Sequence, residues 1–271
     1  MSFLSKSTLE AQWNSPFSAV IAFGDSISDN GFLGGHGFRR YTNTWTWVEY
    51  LAQLLGLPLD CWAHGGAMTD EGNEKHPAPE FRWSGLAWQV RNFASALEPS
   101  DDLSRVLFTV MCGANDFWGG QKSGALSAKN LLSALEALVE AGARNLLFRE
   151  MSALVLSPVY LEGEYSHLAQ DFRNFIIETN QTAKDLIKNK FLNHHPNVNL
   201  FYLPSDPLFT KIREAQPGFT FQILDQSWLD TYSYPEPFKY LWWDAFHPMG
   251  ELHLLMAQDS LKALQNTLSP K

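Results

Sequence analysis

The chain has 271 residues, 45% of them apolar, with 20 Lys+Arg against 29 Asp+Glu for a formal charge of −9. A domain of this length buries roughly three quarters of the surface its unfolded chain exposes, so no disulfide or metal staple is needed, and small-scaffold folds are excluded. A charged fraction of 18% beside 14% aromatics excludes disorder, and the negative charge, with no basic run beyond Arg39-Arg40, argues against a nucleic-acid partner.

Residues 1–17 form an N-terminal extension without the apolar run of a signal peptide. The cytoplasm is therefore the expected compartment, the alternative being secretion of a chain whose signal peptide is absent from this sequence. Ala19 to Phe23 reads as a buried strand that runs into Gly24-Asp25-Ser26. Val48, Leu51, Ala52 and Leu55 fall at i, i+3, i+4 and i+7, which predicts a helix from Trp45 to Leu55 stopped by Gly56. Leu57 to Trp62 is a second strand, and after a Gly-, Pro- and charge-rich loop over 65–82 a helix covers Leu86 to Leu97. Val106 to Met111 is the most strand-like segment and leads into Cys112-Gly113-Ala114-Asn115-Asp116. Leu131, Leu135, Leu138 and Val139 mark a helix ended by Gly142, and Asn145 to Phe148 is the fourth strand. Helical spacing holds from Leu168 to Ile187, Val198 to Leu203 is the fifth strand, and residues 251–265 form a last amphipathic helix. Residues 216–243 read as an aromatic-rich loop.

Strands alternating with helices, without a linker or repeat, predict one α/β domain over residues 1–271: a three-layer α/β/α sandwich around a mostly parallel five-stranded sheet. No apolar stretch approaches the roughly 20 residues of a spanning helix, so no stable membrane insertion is expected. Open α/β sheets bind ligands beyond the carboxyl ends of their strands, so chemistry belongs in the loops after Phe23, Trp62, Met111 and Leu203.

A serine placed just past a buried strand, behind a glycine that permits a sharp turn, has the setting of a nucleophile; taken alone, Ser26 is more often a helix cap and Asp25 an Asx-turn. A hydroxyl needs a base, and the base needs an orienting carboxylate. Asp244 and His247, three residues apart in Trp-Asp-Ala-Phe-His-Pro, can present both from one turn, with His247 Nε2 left for Ser26. Donors for an oxyanion come from two loops, His64-Gly65-Gly66-Ala67 and Gly113-Ala114-Asn115-Asp116. Each of these segments alone is also an ordinary turn.

Together, and in this order, Phe-Gly-Asp-Ser-x-Ser-Asp-x-Gly, Gly-Gly-Ala, Gly-Ala-Asn-Asp and Asp-x-x-His-Pro resemble the blocks of the GDSL, or SGNH-hydrolase, esterase and lipase family, over residues 23 to 248. The resemblance implies a flavodoxin-like sheet with strand order 2-1-3-4-5. It also implies Ser26 as nucleophile, His247 as base and Asp244 as its orienter, with an oxyanion hole made by the amides of Ser26 and Gly66 and the Asn115 side chain. The strand order would hold Cys61 and Cys112 two strands apart, roughly 9–10 Å, beyond disulfide reach, so both thiols are expected free. Trp118 and Phe246 are candidates to line the substrate pocket. His64, which stands where the family usually has a small or apolar residue, is a candidate contact or a hydrogen-bonded structural residue. Arg149-Glu150 also departs from the family pattern after the fourth strand, which bears on the shape of the site.

The expected substrate is a small-molecule or lipid ester, cleaved with no cofactor and no metal. Gly34-Gly35-His36-Gly37 lacks the strand-to-helix context of a phosphate loop, and the two cysteines lack zinc spacing. Acyl transfer, carbohydrate deacetylation on the same residues, and a non-catalytic binding module of the same fold are the alternatives.

Overall fold

The computed structural model describes residues 13–31, 34–74, 83–154, 156–161, 165–231 and 236–268. The sheet holds β1 (Ala19–Gly24), β2 (Leu59–Cys61), β3 (Val106–Met111), β4 (Asn145–Arg149) and β5 (Asn199–Leu203), all parallel, in the order β2-β1-β3-β4-β5. The helices are α1 (Trp47–Leu55), α2 (Leu86–Ala96), α3 (Ala114–Trp118), α4 (Gly124–Glu140), α5 (Pro158–Leu161), α6 (Ala169–Leu186), α7 (Leu192–His194), α8 (Asp206–Arg213) and α9 (Gly250–Leu268).

The two-residue period of the strands sorts their side chains into two cores. Val20, Ala22, Leu107, Leu147 and Phe201 face α1, α8 and α9; Ile21, Phe23, Phe108, Leu146 and Phe148 face α2, α4 and α6. This is the three-layer sandwich expected from the alternation. Thr46 and Glu49 start α1 with a capping box, and His253 of the buried face of α9 accepts the Trp47 amide at 3.1 Å, which binds the two helices of that layer end to side.

Several elements depart from the sequence reading. The 216–243 segment is not simply a loop: β6 (Ile223–Ser227) and β7 (Tyr240–Trp242) form a separate two-stranded sheet, with Tyr240, Leu241 and Trp242 buried and Trp228 stacked on Trp243. Paired aromatics, rather than an apolar period, order this region; its Tyr232 and Tyr234 lie outside the described residues. The stretch after β3 is helical from Ala114, and α8 carries a start signal in Ser205-Asp206-Pro207 with Leu208, Phe209 and Ile212 buried beneath it. Phe17, assigned to the extension, packs edge-on against Phe201 in the core, while residues 1–12 lie outside the described residues. Cys61 and Cys112 are both free and buried, and burial pushes the Cys61 thiol up to about 12. Among the described residues, no helix is long and apolar enough to cross a membrane.

Arg149 ends β4 with no solvent exposure. It turns into the α9 layer, where it pairs with Asp259 at 3.0 Å and donates to Ser260 Oγ and the Met256 carbonyl. Glu150 accepts the Tyr202 hydroxyl, and its own carbonyl accepts from Ser205. This unusual pair therefore braces the sheet against its neighbours.

Candidate active site

Gly24 ends β1 with φ +150°, and a Cβ there would lie 2.2 Å from the Met111 carbonyl of the adjacent strand. Only glycine lets β1 run this close to β3 and turn at once. Gln89 of α2 holds that turn from below, its amide accepting Gly24 N–H at 3.0 Å and donating to Gly24 O at 2.8 Å. Asp25 then closes a turn through its carbonyl and carboxylate, with Ser28, Asp29 and Ile27 as donors, and Ser26 stands at the rim.

The other half arrives after β7. Asp244 Oδ1 accepts the backbone N–H groups of Phe246 and His247 at 2.8 and 2.7 Å, and the His247 carbonyl accepts the Trp243 amide at 2.8 Å. The three-residue spacing thus closes one self-bonded turn. His247 Nδ1 meets both Asp244 carboxylate oxygens at 2.9 Å, and Nε2 meets Ser26 Oγ at 2.9 Å. A proton on Nδ1 is the tautomer these partners select, which leaves Nε2 to accept from the hydroxyl. Burial works to raise Asp244, but the hydrogen bonds and charge of His247 and the two amides outweigh it, holding the carboxyl below its ordinary value. Tyr41 packs against the imidazole, ring centroids 4.9 Å apart, and lies so close to Gly65 that any side chain at that position would collide with its ring.

Of the expected oxyanion donors, Asn115 lines the same cavity as Ser26 and His247. Gly66 takes φ +82°, and neither its amide nor that of Ser26 has an acceptor among the described residues. Asn115 sits in the first turn of α3 and commits one amide hydrogen to Ala67 O at 3.0 Å, which ties α3 to the glycine loop.

Two carboxylates without an assigned role in the sequence reading fix these loops. Asp29, fully buried, accepts from Gly31 at 2.8 Å, Phe38 at 2.9 Å and Gly65 at 2.7 Å, joining the serine turn to the glycine loop. Burial outweighs those amides and raises its carboxyl to about 6. Asp116 accepts from the Thr69 amide and hydroxyl and from Ser127 Oγ, locking α3 to the same loop. Their positions within the Ser-Asp-x-Gly and Asn-Asp runs were the available signal.

Ser26, Asn115 and His247 open onto a cavity of about 330 Å³. Met111, Leu154, Phe209 and Met256 line it where it meets the α9 core, and Trp118, Tyr160, Phe172 and Phe246 where it meets the separate cluster around α3, α5 and α6. Trp118 and Phe246 thus occupy the expected wall. His64 does not: it is 5% exposed, holds Trp62 O through Nδ1 at 2.7 Å, packs against Phe38 and Trp88, and is absent from the cavity lining. Arg149 and Glu150 are also absent from the lining, because both turn to the layers described above.

Ser26 and His247 thus pair at the carboxyl edge of a doubly wound parallel sheet, which makes this an α/β protein with its candidate site where such sheets bind ligands. The model of the GDSL-like lipase/acylhydrolase family matches residues 20–259, and the chain belongs to that family. The thermolabile hemolysin of Vibrio parahaemolyticus is 24% identical over 91% of this chain; the chain spans only 64% of the hemolysin's length. A GDSL esterase/lipase of Arabidopsis thaliana is 24% identical over 89% of this chain and 80% of its own. Among solved structures, a lipolytic G-D-S-L family member from Veillonella parvula superposes with TM-score 0.50 at 16% identity, covering 90% of this chain and 97% of that one. A carbohydrate acetylesterase family member from Sinorhizobium meliloti gives TM-score 0.53 at 13% identity, covering 94% and 100%. These structures share the fold.

Proposed function

We propose that the protein is a serine hydrolase that cleaves carboxylic esters through an acyl-enzyme, with lipid-like esters of short to medium acyl chains as substrates. The observation that carries this reading is the unbroken 2.9 Å path from Asp244 through His247 to Ser26 at the mouth of an apolar cavity.

As Ser26 Oγ attacks the ester carbonyl, its proton passes to His247 Nε2, and Asp244 stabilises the imidazolium that results. The amides of Ser26 and Gly66 and the second Asn115 amide hydrogen receive the oxyanion. Donors held by the fold before the substrate arrives stabilise that charge with little reorganisation. Collapse breaks the bond to the alcohol, which leaves with the proton from Nε2. Water then repeats the sequence, giving its proton to His247 and its oxygen to the acyl carbon, and the acid departs as Ser26 regains its hydrogen.

Hydrolysis of nitrophenyl esters from acetate to palmitate, for wild type and Ser26→Ala, tests the reading. The expected result is an optimum at medium chain length and a loss on the order of 10⁴–10⁶-fold in kcat for the variant. Equal hydrolysis by both proteins would overturn it.

A further inference from the structure

The bonds that orient His247 act at its ring nitrogens, Nδ1 on Asp244 and Nε2 on Ser26, each at 2.9 Å. They hold the edge of the imidazole and leave its faces to packing. Once Ser26 is acylated, Nε2 also loses its hydroxyl partner, and a base that must then take a proton from water needs a hold that does not depend on the serine. The Tyr41 ring meets that need. Its centroid lies 4.9 Å from that of His247 with the planes 35° apart, whereas the Phe246 ring is 6.3 Å away and lines the cavity. Tyr41 is buried and absent from the cavity lining, so it touches the base without touching what the cavity holds.

The ring is itself fixed from several directions. A Cβ on Gly65 would collide with the Tyr41 hydroxyl and two of its ring carbons, so the glycine loop closes directly on the outer end of this side chain. The Arg39 guanidinium lies 4.8 Å from the ring centroid and adds to its hold. The segment that carries Tyr41 is tied to both halves of the site. Asn43 Oδ1 accepts the Gly250 amide at 2.8 Å, and a Cβ on Gly250 would collide with the Thr44 hydroxyl. Trp47 donates from its indole to Ser28 Oγ at 3.0 Å and from its amide to His253 Nδ1 at 3.1 Å. Residues 39–47 thus form a strap that joins the serine turn, the glycine loop and the start of α9, with Tyr41 set at the histidine.

We infer that Tyr41 is a positioning residue for the base: the 39–47 strap sets its ring against the imidazole and so keeps His247 Nε2 aimed at Ser26 Oγ, and at the water that follows it, without contact with the substrate. This rests on the hydrolase reading above and adds to it a residue outside Ser26, Asp244 and His247.

The test compares Tyr41→Phe, which keeps the ring, with Tyr41→Leu and Tyr41→Met, which do not, by turnover of nitrophenyl octanoate and by proton NMR. The two non-aromatic variants should lose roughly 10–10²-fold in kcat per folded molecule with KM within about twofold of wild type, and the phenylalanine variant should recover most of that loss. The downfield resonance of the proton between His247 Nδ1 and Asp244, identified by its absence from His247→Ala, should be sharp in wild type and Tyr41→Phe and broadened or lost in the other two. Should one non-aromatic variant fail to fold, the other carries the comparison. A kcat within about twofold of wild type without the ring, a loss that falls in KM instead, a phenylalanine variant as slow as the others, or a resonance unchanged in all three would overturn the proposal. The resonance is read without substrate, which separates the two readings. Wild-type protein that shows it, with its dependence on the ring, and yet turns over no ester defeats the hydrolase reading alone; turnover that survives loss of the ring defeats the Tyr41 assignment alone.

Discussion

The two sides of the candidate site are built on opposite principles. Around Ser26 and the glycine loop, the buried carboxylates and amides of Asp29, Asp116 and Gln89 are matched to named partners, so three loops from three strand ends are held in one arrangement. Where Trp118, Tyr160 and Phe172 line the cavity, ring stacking takes the place of that matching. The first region fixes the geometry around Ser26, and the second shapes the aromatic part of the cavity. Damage to the first should change turnover for every ester, and damage to the second should change which ester is preferred.

The largest expected effect after loss of Ser26 itself is from Asp244→Asn, which keeps the shape but selects the wrong imidazole tautomer: about 10⁴-fold in kcat on nitrophenyl octanoate, with KM little altered. Next is Asp29→Ala, which frees the Gly65 amide and lets the glycine loop drift from the serine turn. A displacement of this kind costs on the order of 10²-fold, and steady-state kinetics should place the loss in kcat for short and medium esters alike. Asp29 also gives a stability signature. Its carboxyl is raised to about 6 from an ordinary 3.8, so the native state holds the proton more tightly than the unfolded chain does. The stabilisation this gives is full below the ordinary value and fades as pH rises through about 6. Urea midpoints of wild type minus those of Asp29→Asn should therefore fall between pH 4 and pH 7; a flat difference contradicts the burial argument.

A control outside both regions is Asp259→Ala, which strands the buried Arg149 guanidinium. Asp259 is itself partly exposed, so a loss of roughly 2–3 kcal/mol in urea denaturation is expected rather than more, with the kcat of the folded fraction unchanged.

The division between the two regions also separates what could be read from sequence. The parallel sheet was legible from the alternation of strand and helix periods, whereas its strand order and the roles expected of Ser26, Asp244 and His247 came from the resemblance of the joined motifs to a known family, since each motif alone reads as an ordinary turn. Asp29 and Asp116 stood in the same motifs, but their roles depend on Gly65 and Thr69, which the fold alone brings to them. His64 looked like a site residue by its place beside the glycine pair, and its ring instead fills the space between Phe38 and Trp88. The β6–β7 pair was hidden because aromatic stacking and an intervening stretch of 12 residues (228–239), not a two-residue period, define it.

The most direct test of the central claim is labelling of the folded protein with a fluorophosphonate, followed by mass analysis of its peptides. A single adduct on Ser26, formed rapidly by wild type and far more slowly by His247→Ala, is the predicted result. An adduct on another residue, or none on a protein that remains folded, would contradict it.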